Sequence, residues 1–443
     1  MGVISLKAEE KMHISQCMIV KNEEKNIERA LSWGKAVMWE QIVVDTGSTD
    51  QTAELARQMG ARVFSIEWQD DFAAAKNYAL EQAKGDWIVF LDADEYMTEE
   101  DVAKLPEIFE LLCRKNYDGI TAFLHNLDDN GRIFSSCSHL RFFRNIPDIR
   151  YRRRIHEQLV SLSGRDLRIM DGTRELSIIH TGYQGIALSG KRKSERNQKM
   201  LQRELEEYPD DPELLGYLGD EYFDARETEE AEGWYRRAVA FMPAEYREYD
   251  QRSAATFTRL LMLLTEKEDA NWTEAEAVYR QAVNAFPKEA DLDYIAGRYF
   301  ASHERPAEGI RYLEQALNKL EKYGCTNRAL FLAGNMGDAY DLLAKCCYET
   351  GDLQKCVTCT VEHLKYDPYE MKPLFWLLKA LFHNGAQAQN EAVMGFLMKI
   401  YDGSSLKDRL FIMKAAQQAG CRSFVSYMLN HYFTPDERKL LGI

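Results

Sequence analysis

Short apolar runs alternate with helical patterns over about the first 190 residues of the chain. Four of the runs have the length and β-branched content of buried strands. They lie at residues 13–20, 41–45, 61–66 and 86–91. Between them, apolar residues recur every three or four positions, which predicts three helices. These helices lie around Ile27–Trp33, at 52–59 and at 72–83. Such alternation indicates an α/β domain with a mostly parallel sheet.

Polar residues follow three of the predicted strands. Asn22 and Glu23 come after the first strand, Asp45 ends the second, and Asp92-Ala93-Asp94 follows the fourth. Ligands of open α/β sheets bind beyond the carboxyl ends of the strands, where these residues would meet. We therefore expect a polar cleft at this edge of the sheet.

Beyond about residue 200, the strand pattern gives way to amphipathic helices that repeat. Small and aromatic residues recur at the spacing of a tetratricopeptide repeat, first at Leu218, Gly219, Tyr222, Ala231, Tyr235, Ala238 and Pro243. Partial matches follow at 275–287, 297–316 and, degraded, 344–368. The pattern predicts an α/β domain over 1–190, a linker helix over 191–210 and an all-α tetratricopeptide-repeat domain over 211–443.

The composition limits the possible partners and the cellular location. Residues 1–200 carry 28 basic and 31 acidic side chains, whereas residues 201–443 carry 28 and 40, so most of the net charge of −15 lies in the second part. This acidity argues against nucleic-acid binding. Nine scattered cysteines favour a reducing cytoplasm. No signal peptide and no membrane span of ~18–20 apolar residues is expected.

The pair of carboxylates in Asp92-Ala93-Asp94 is open to two interpretations. Carboxylates are ligands that Mg²⁺ and Mn²⁺ prefer, so the pair could hold a metal that neutralises a diphosphate. Alternatively, the segment could cap a helix and begin an acidic loop.

Four motifs in close succession favour the metal site. They are Met18-Ile-Val-Lys-Asn-Glu-Glu24, Val43-Val-Asp-Thr-Gly-Ser-Thr-Asp50, Asp71-Phe-Ala-Ala-Ala-Lys-Asn77 and Trp87-Ile-Val-Phe-Leu-Asp-Ala-Asp-Glu95. Together they resemble the family-2 inverting glycosyltransferases of GT-A fold, over residues 13–185. The resemblance implies a Rossmann-like GT-A catalytic domain and a hexosyl- or N-acetylhexosaminyltransferase. It also implies a donor sugar on uridine diphosphate (UDP) and a Mn²⁺ or Mg²⁺ cofactor.

The resemblance also implies roles in donor binding. Asp45 would accept the uracil N3–H, and the backbone of Val20 with Asn22 and Glu23 would border the base and ribose. Lys76 would face the diphosphate. The alternatives are a turn-initiating Asp45, helix capping by Asn22 and Glu23, and a solvated lysine on a helix.

The metal ligands implied by the resemblance come from two parts of the chain. Asp94 would ligate the metal directly, and Asp92, next to Ala93, would contact the ribose or the metal. His180, in His180-Thr-Gly-Tyr183, would complete the site, since imidazole is a reasonable Mn²⁺ ligand. A packed histidine at a strand end is the alternative.

Inverting transfer also needs a base that deprotonates the acceptor. Glu157 is the candidate, because the family places a carboxylate at the start of a helix here, and His156 is the second choice. A salt-bridged Glu157 is the alternative, since six arginines lie nearby. The arginines could belong to a solvated loop, pair with the acidic repeats, or face an anion such as the diphosphate. They are Arg141, Arg144, Arg150, Arg152, Arg153 and Arg154.

The order of the domains is similar to that of bacterial enzymes that glycosylate peptides, including S-glycosyltransferases. A tetratricopeptide array forms a groove suited to a polypeptide, which predicts a peptide or protein acceptor bound by the repeats. The alternatives are a glycan or lipid acceptor, repeats that only hold a homodimer together, and a scaffold with a relic transferase domain.

Overall fold

The computed structural model describes residues 12–182, 190–246, 250–324, 329–383 and 390–442. The chain forms two compact units, Met1–Pro209 and Asp210–Ile443. The strands of the first unit are β1 (Ile14–Val20), β2 (Glu40–Asp45), β3 (Arg62–Ser65), β4 (Trp87–Phe90), β5 (Glu95–Tyr96), β6 (Gly119–Leu127), β7 (Ile133–Arg144), β8 (Ile149–Arg152), β9 (Gln158–Ser161), β10 (Ile169–Asp171) and β11 (Ser177–His180). Its helices are α1 (Ile27–Ser32), α2 (Thr52–Gln58), α3 (Phe72–Gln82), α4 (Glu99–Lys115) and α5 (Gly190–Glu207).

The first unit is built on one mixed sheet with the strand order β3-β2-β1-β4-β7-β6-β11-β5, while β10 pairs with β6. Strands β1 to β4 are mutually parallel where they pair, as the sequence predicts. The chain moves outward from β1 to β3 and then crosses back to place β4 on the other side of β1. Such a reversal opens a crevice beyond the carboxyl ends of the strands.

Strand β7 joins the parallel half of the sheet to the rest, since it is antiparallel to both β4 and β6. The register between β7 and β6 shifts by one residue just before the part of β7 that pairs with β4. Phe142 pairs with Ile120, whereas Leu140 pairs with the following residue, Thr121, so Arg141 is an extra residue in β7. A β-bulge of this kind redirects side chains and is common beside active sites.

The predicted linker helix corresponds to α5, which belongs to the first unit. Its buried residues include Met200, Leu201 and Glu204. The carboxylate of Glu204 accepts a hydrogen bond of 2.9 Å from the backbone N–H of Arg154. The division between the two units therefore follows α5 rather than preceding it.

The second unit consists of helices, within the part of it that the structure describes. They are α6 (Pro212–Asp224), α7 (Thr228–Phe241), α8 (Gln251–Glu266), α9 (Trp272–Ala285), α10 (Ala290–Ser302), α11 (Pro306–Tyr323), α12 (Leu330–Gly334), α13 (Met336–Glu349), α14 (Leu353–Tyr366), α15 (Met371–Leu381), α16 (Asn390–Leu397), α17 (Leu406–Gln418), α18 (Arg422–His431) and α19 (Pro435–Leu441).

The small residues of the repeat pattern lie where paired helices touch. A Cβ atom on Gly219 would overlap the ring of Tyr235, and one on Gly297 would lie 2.7 Å from Leu313. Ala238 and several other small residues are also fully buried. The prediction of an α/β domain followed by tetratricopeptide-like helices is confirmed.

None of the described helices combines the length and apolar character that crossing a membrane requires.

Candidate active site

A cavity of about 1260 Å³ lies at the reversal point of the sheet. The segments that follow β1, β2 and β4 form its floor, α3 and the loop between β8 and β9 form one wall, and β7 and β11 form another. Its polar lining includes many of the residues predicted from the sequence: Glu23, Lys76, Asp92, Asp94, His156, Glu157 and His180. Val20 and Ala93 also line it.

Asp94 and His180 meet in this cavity from opposite parts of the sheet. The Nε2 atom of His180 lies 3.2 Å from Oδ2 of Asp94, and its Nδ1 lies 2.7 Å from Oδ1 of Asn126. Since an amide oxygen only accepts, Nδ1 donates to Asn126, which leaves Nε2 directed at Asp94. Burial alone would lower the pKa of His180, but the hydrogen bond and charge of Asp94 outweigh it and the pKa is raised.

The donor set fits a divalent cation that is shared with a substrate. Among the described residues, no three His, Cys, Asp or Glu side chains are grouped to hold a metal. Asp94 and His180 offer one carboxylate oxygen and one imidazole nitrogen, with Nδ1 of His180 already fixed by Asn126. Mg²⁺ is commonly held by one or two carboxylates plus substrate phosphates, so two protein ligands are compatible with such a site.

Asp92 faces cations rather than the Asp94–His180 pair. Its Oδ2 accepts a hydrogen bond of 3.0 Å from Arg141, and its Oδ1 lies 4.0 Å from Nζ of Lys76. Burial would raise the pKa of Asp92, but Lys76 and Arg141 more than compensate and lower the pKa to about 2. Asp92 is therefore a carboxylate between two cations at the floor of the cavity.

Lys76 is buried, with 3% of its side chain exposed, so the alternative of a solvated helix lysine is wrong. Its Nζ lies 2.5 Å from Oε1 of Glu157 and about 5 Å from the ring centroids of Phe90 and Tyr151. The predicted helix start at Glu157 is also wrong. Glu157 lies in the loop between β8 and β9, immediately before β9.

The β8–β9 loop is tied to the rest of the first unit through Arg154. The Arg154 side chain lies 3.4 Å from Asp71 and 2.7 Å from Glu207, and its carbonyl accepts a hydrogen bond from the Phe72 N–H. His156, in the same loop, has a φ of 53°, which is uncommon outside glycine. These contacts fix the part of the chain that carries Glu157.

The arginine cluster has its described partners within the first unit rather than among the acidic repeats. Arg144 donates to the carbonyl of Tyr117, and Arg150 donates to the carbonyls of Ile146 and Ile149. Together with Arg141 and Arg154, these residues tie segments of the first unit to one another. These contacts contradict a freely solvated loop for the four arginines. That some of them face an anion stays a prediction, and Arg141 lines the cavity.

The loops after β1 and β2 support each other. The Thr46 N–H donates to the carbonyl of Val20, and the carbonyl oxygen of the Asn22 side chain accepts from the Thr49 N–H at 2.8 Å. Asp45 is buried, and its carboxylate accepts from the Ser48 N–H at 3.1 Å, so it does organise the turn before Gly47.

Glu23 adds a further carboxylate to the cavity. Burial raises its pKa, and the negative charges of Asp94, Asp50 and Asp92 add to this effect, although a hydrogen bond from Asn26 opposes it. Glu23 therefore lies close enough to Asp94 and Asp92 for the three carboxylates to repel one another.

Two protein families match successive parts of the chain. Residues 15–166 match the model of glycosyl transferase family 2, and residues 184–246 and 264–323 match a tetratricopeptide repeat model. A TPR repeat-containing protein of Synechococcus elongatus is 30% identical over 337 residues, which cover 74% of this chain and 73% of that protein. The chain belongs to the family-2 glycosyltransferases with C-terminal tetratricopeptide repeats.

Two further proteins are similar to this glycosyltransferase. The prophage-derived glycosyltransferase SunS of Bacillus subtilis is 25% identical over 281 residues, which span 63% of this chain and 64% of that protein. A crystal structure of Staphylococcus aureus TarS 1–349 in complex with UDP-GlcNAc aligns with 62% of this chain and 89% of its own, at 16% identity and a TM-score of 0.35.

No role was predicted from the sequence for two buried side chains that support this glycosyltransferase's cavity, Glu95 and Asn126, and Arg141 was named only as one of six arginines. Arg141 lies 2.5 Å from the buried Glu95, whose other oxygen accepts from the Asp92 N–H at 3.0 Å. Asn126 orients His180. Glu95 directly follows the Asp92-Ala93-Asp94 segment, but nothing in the sequence indicated that Arg141 is a bulge residue.

Gly182 supplies a test of the Asp94–His180 pair. A Cβ atom on Gly182 would overlap the Asp94 carboxylate and would lie 2.5 Å from Nε2 of His180. We expect Gly182→Ala to lower transfer at least about 10-fold by separating two side chains that must converge. Measured kcat/KM against Mn²⁺ concentration should show a higher metal requirement, while Gly233→Ala, in α7 with open space around it, serves as the control. An unchanged metal requirement would contradict the pairing.

Proposed function

We propose that the chain transfers a sugar from a UDP-sugar to a peptide or protein side chain, with inversion at the anomeric carbon. The observation that carries the proposal is the arrangement of two pairs in one cavity. The Asp94–His180 pair offers two ligands for a cation. In the Lys76–Glu157 pair, the lysine offers a positive charge for a phosphate group and the glutamate offers a base. An inverting transfer requires these two functions together.

The donor diphosphate would bind between these pairs. Asp94 and His180 would hold Mn²⁺ or Mg²⁺, which stabilises the charge that develops on the leaving diphosphate. Lys76 would direct its ammonium group at the phosphate oxygens, and Asp92, held by Arg141, would accept from the ribose or sugar hydroxyls. Asp45 and the loops at Val20 and Asn22 would border the uracil and ribose.

Glu157 would then act on the acceptor. The acceptor nucleophile forms a bond to the anomeric carbon as the bond from that carbon to the diphosphate oxygen breaks. Glu157 accepts the proton that the nucleophile loses, and UDP leaves with the electron pair of the broken bond. Lys76 lies 2.5 Å from Glu157. When the diphosphate binds, the ammonium group of Lys76 would interact with both the diphosphate and the Glu157 carboxylate.

Thermal denaturation with UDP tests donor binding. Ligand at 100 times its dissociation constant is expected to stabilise the protein by ~2.7 kcal/mol, and the shift should require Mn²⁺ or Mg²⁺. Guanosine and adenosine diphosphates serve as controls for base selectivity. Equal protection by all three nucleotides would contradict recognition of uracil, and no protection by any would contradict donor binding.

The acceptor assignment rests on the repeats, since stacked helix pairs form a groove that suits a polypeptide. Truncation after Pro209 removes the repeats but keeps Glu204 and Glu207, which hold the β8–β9 loop. We expect this truncation to retain UDP release from the donor but to lose most transfer to a protein acceptor, because tethering raises the local acceptor concentration.

Transfer is measured as incorporation of a radiolabelled sugar into protease-sensitive material, with circular dichroism as the check on folding. Label that resists protease and extracts with organic solvent would contradict a protein acceptor. Transfer by the folded truncation at the full-length rate would show that the repeats do not bind the acceptor.

A further inference from the structure

His139 is a residue of the cavity that the proposed reaction has not used. It lies in β7, two residues before the bulged Arg141, and lines the cavity with Asp92 and His180. Since β7 is antiparallel to β4, the residues that precede Phe142 extend toward the segment after β4, where Asp92 and Asp94 lie. Its neighbours in β7, Leu140 and the bulged Arg141, line the cavity as well.

The imidazole of His139 is available to a ligand. No described residue forms a hydrogen bond with either of its ring nitrogens. Burial and the positive charge of Arg141 lower the pKa of His139 to about 4. The ring is therefore neutral near pH 7 and offers one donor and one acceptor nitrogen. The residue is half-buried and its ring lines the cavity, so a ligand hydroxyl can take the place of water as the hydrogen-bond partner of a ring nitrogen.

The position of His139 points to the sugar rather than to the nucleotide. The base and ribose would lie by the loops after β1 and β2, whereas β7 lies on the opposite side of β4. The transferred sugar has to lie between the diphosphate and the candidate base Glu157. A sugar hydroxyl both donates and accepts a hydrogen bond, and a neutral imidazole offers one nitrogen for each.

We propose that His139 hydrogen-bonds a hydroxyl of the transferred sugar and thereby helps to determine which UDP-sugar is used. This inference rests on the proposed function. His139 is thus a specificity residue for the donor. Its contribution should appear with UDP-sugars and be absent with UDP alone, because UDP lacks the group that the imidazole contacts.

The test compares three full-length variants. His139→Leu removes the hydrogen bond, His139→Gln retains a donor and an acceptor, and Ser138→Ala alters the neighbouring residue, which does not line the cavity. Hydrolysis of UDP-glucose, UDP-galactose, UDP-GlcNAc and UDP-GalNAc is measured with Mn²⁺, together with the Kd of UDP.

For His139→Leu, kcat/KM for the preferred UDP-sugar should fall about 10- to 100-fold, while the Kd of UDP stays within about twofold. Discrimination between the preferred sugar and its C4 epimer should weaken in parallel. His139→Gln should recover part of the loss, and Ser138→Ala should behave as wild type.

Two results would overturn the inference. An equal loss of affinity for UDP and UDP-sugar would make His139 a structural residue. Unchanged sugar preference in His139→Leu, with a defect only in transfer to the acceptor, would assign it to the acceptor instead. Failure of the wild-type protein to bind UDP would contradict the proposed function itself, and is distinguishable from both.

Discussion

Asp94→Ala is expected to abolish sugar transfer and metal-dependent UDP binding while the fold survives. The Asp94 carboxylate accepts a hydrogen bond from His180, whereas its backbone carbonyl accepts from the N–H and hydroxyl of Thr181. The substitution keeps those backbone contacts and removes only the charged ligand. We expect kcat/KM to fall about 10³-fold or more, because about 4 kcal/mol of charge stabilisation is lost.

The measurement is UDP release at saturating Mn²⁺, with the melting temperature as the check on folding. Asp166→Ala removes an exposed carboxylate of the same unit and should leave both quantities unchanged. Retention of Mn²⁺-dependent turnover by Asp94→Ala would refute the role of Asp94 as a metal ligand.

Glu157→Gln should retain the donor and lose turnover. Glutamine keeps the size of the side chain but cannot take the acceptor proton, and loss of a positioned base typically costs about 10² to 10⁴ in rate. Lys76, buried beside Glu157, would lose its closest anionic partner. Without the Glu157 charge, the Lys76 ammonium group would attract the diphosphate more strongly. The affinity of the variant for UDP should therefore be equal to or higher than that of wild type.

Calorimetric titration with UDP and Mn²⁺ separates this outcome from simple damage to the site. His156→Gln is the matched comparison, because His156 lies next to Glu157 in the same loop and is the second candidate base. Wild-type transfer by Glu157→Gln, with loss in His156→Gln, would move the base to His156. Loss of UDP affinity in Glu157→Gln would indicate a structural role for the Lys76–Glu157 pair.

The parallel part of the sheet was predictable from sequence because its strands are buried on both faces. Apolar runs such as Trp87–Leu91 are continuous and are bounded by turns or charges. The helical repeats were predictable for a similar reason, since Gly219 and Gly297 mark close contacts between paired helices.

The region from α4 to β7 was not predicted, and the reasons are specific. Helix α4 contains Pro106, which obscures its period, although Val102, Leu105, Phe109 and Leu112 do lie on its buried face. Strand β7 has an exposed first half, from Ile133 to Cys137, so it lacks the apolar signature of the core.

Contacts between residues that are distant in sequence were also not predicted. Asn126 orients His180 across 54 positions, and Arg141 reaches Asp92 across 49. The interaction of Lys76 with Glu157 joins α3 to the β8–β9 loop, which no local pattern indicates. Motif resemblance identified Lys76 and Glu157 one by one, while their pairing emerged only from the fold.

The most direct test of the account is UDP release by the full-length protein from UDP-glucose, UDP-galactose, UDP-GlcNAc and UDP-GalNAc. The account predicts release from at least one of them with Mn²⁺ or Mg²⁺, loss of release with a chelator and recovery when the metal is restored. Release that persists in the chelator would contradict a metal held by Asp94 and His180. No release from any of the four, with no protection by UDP, would contradict a UDP-sugar glycosyltransferase.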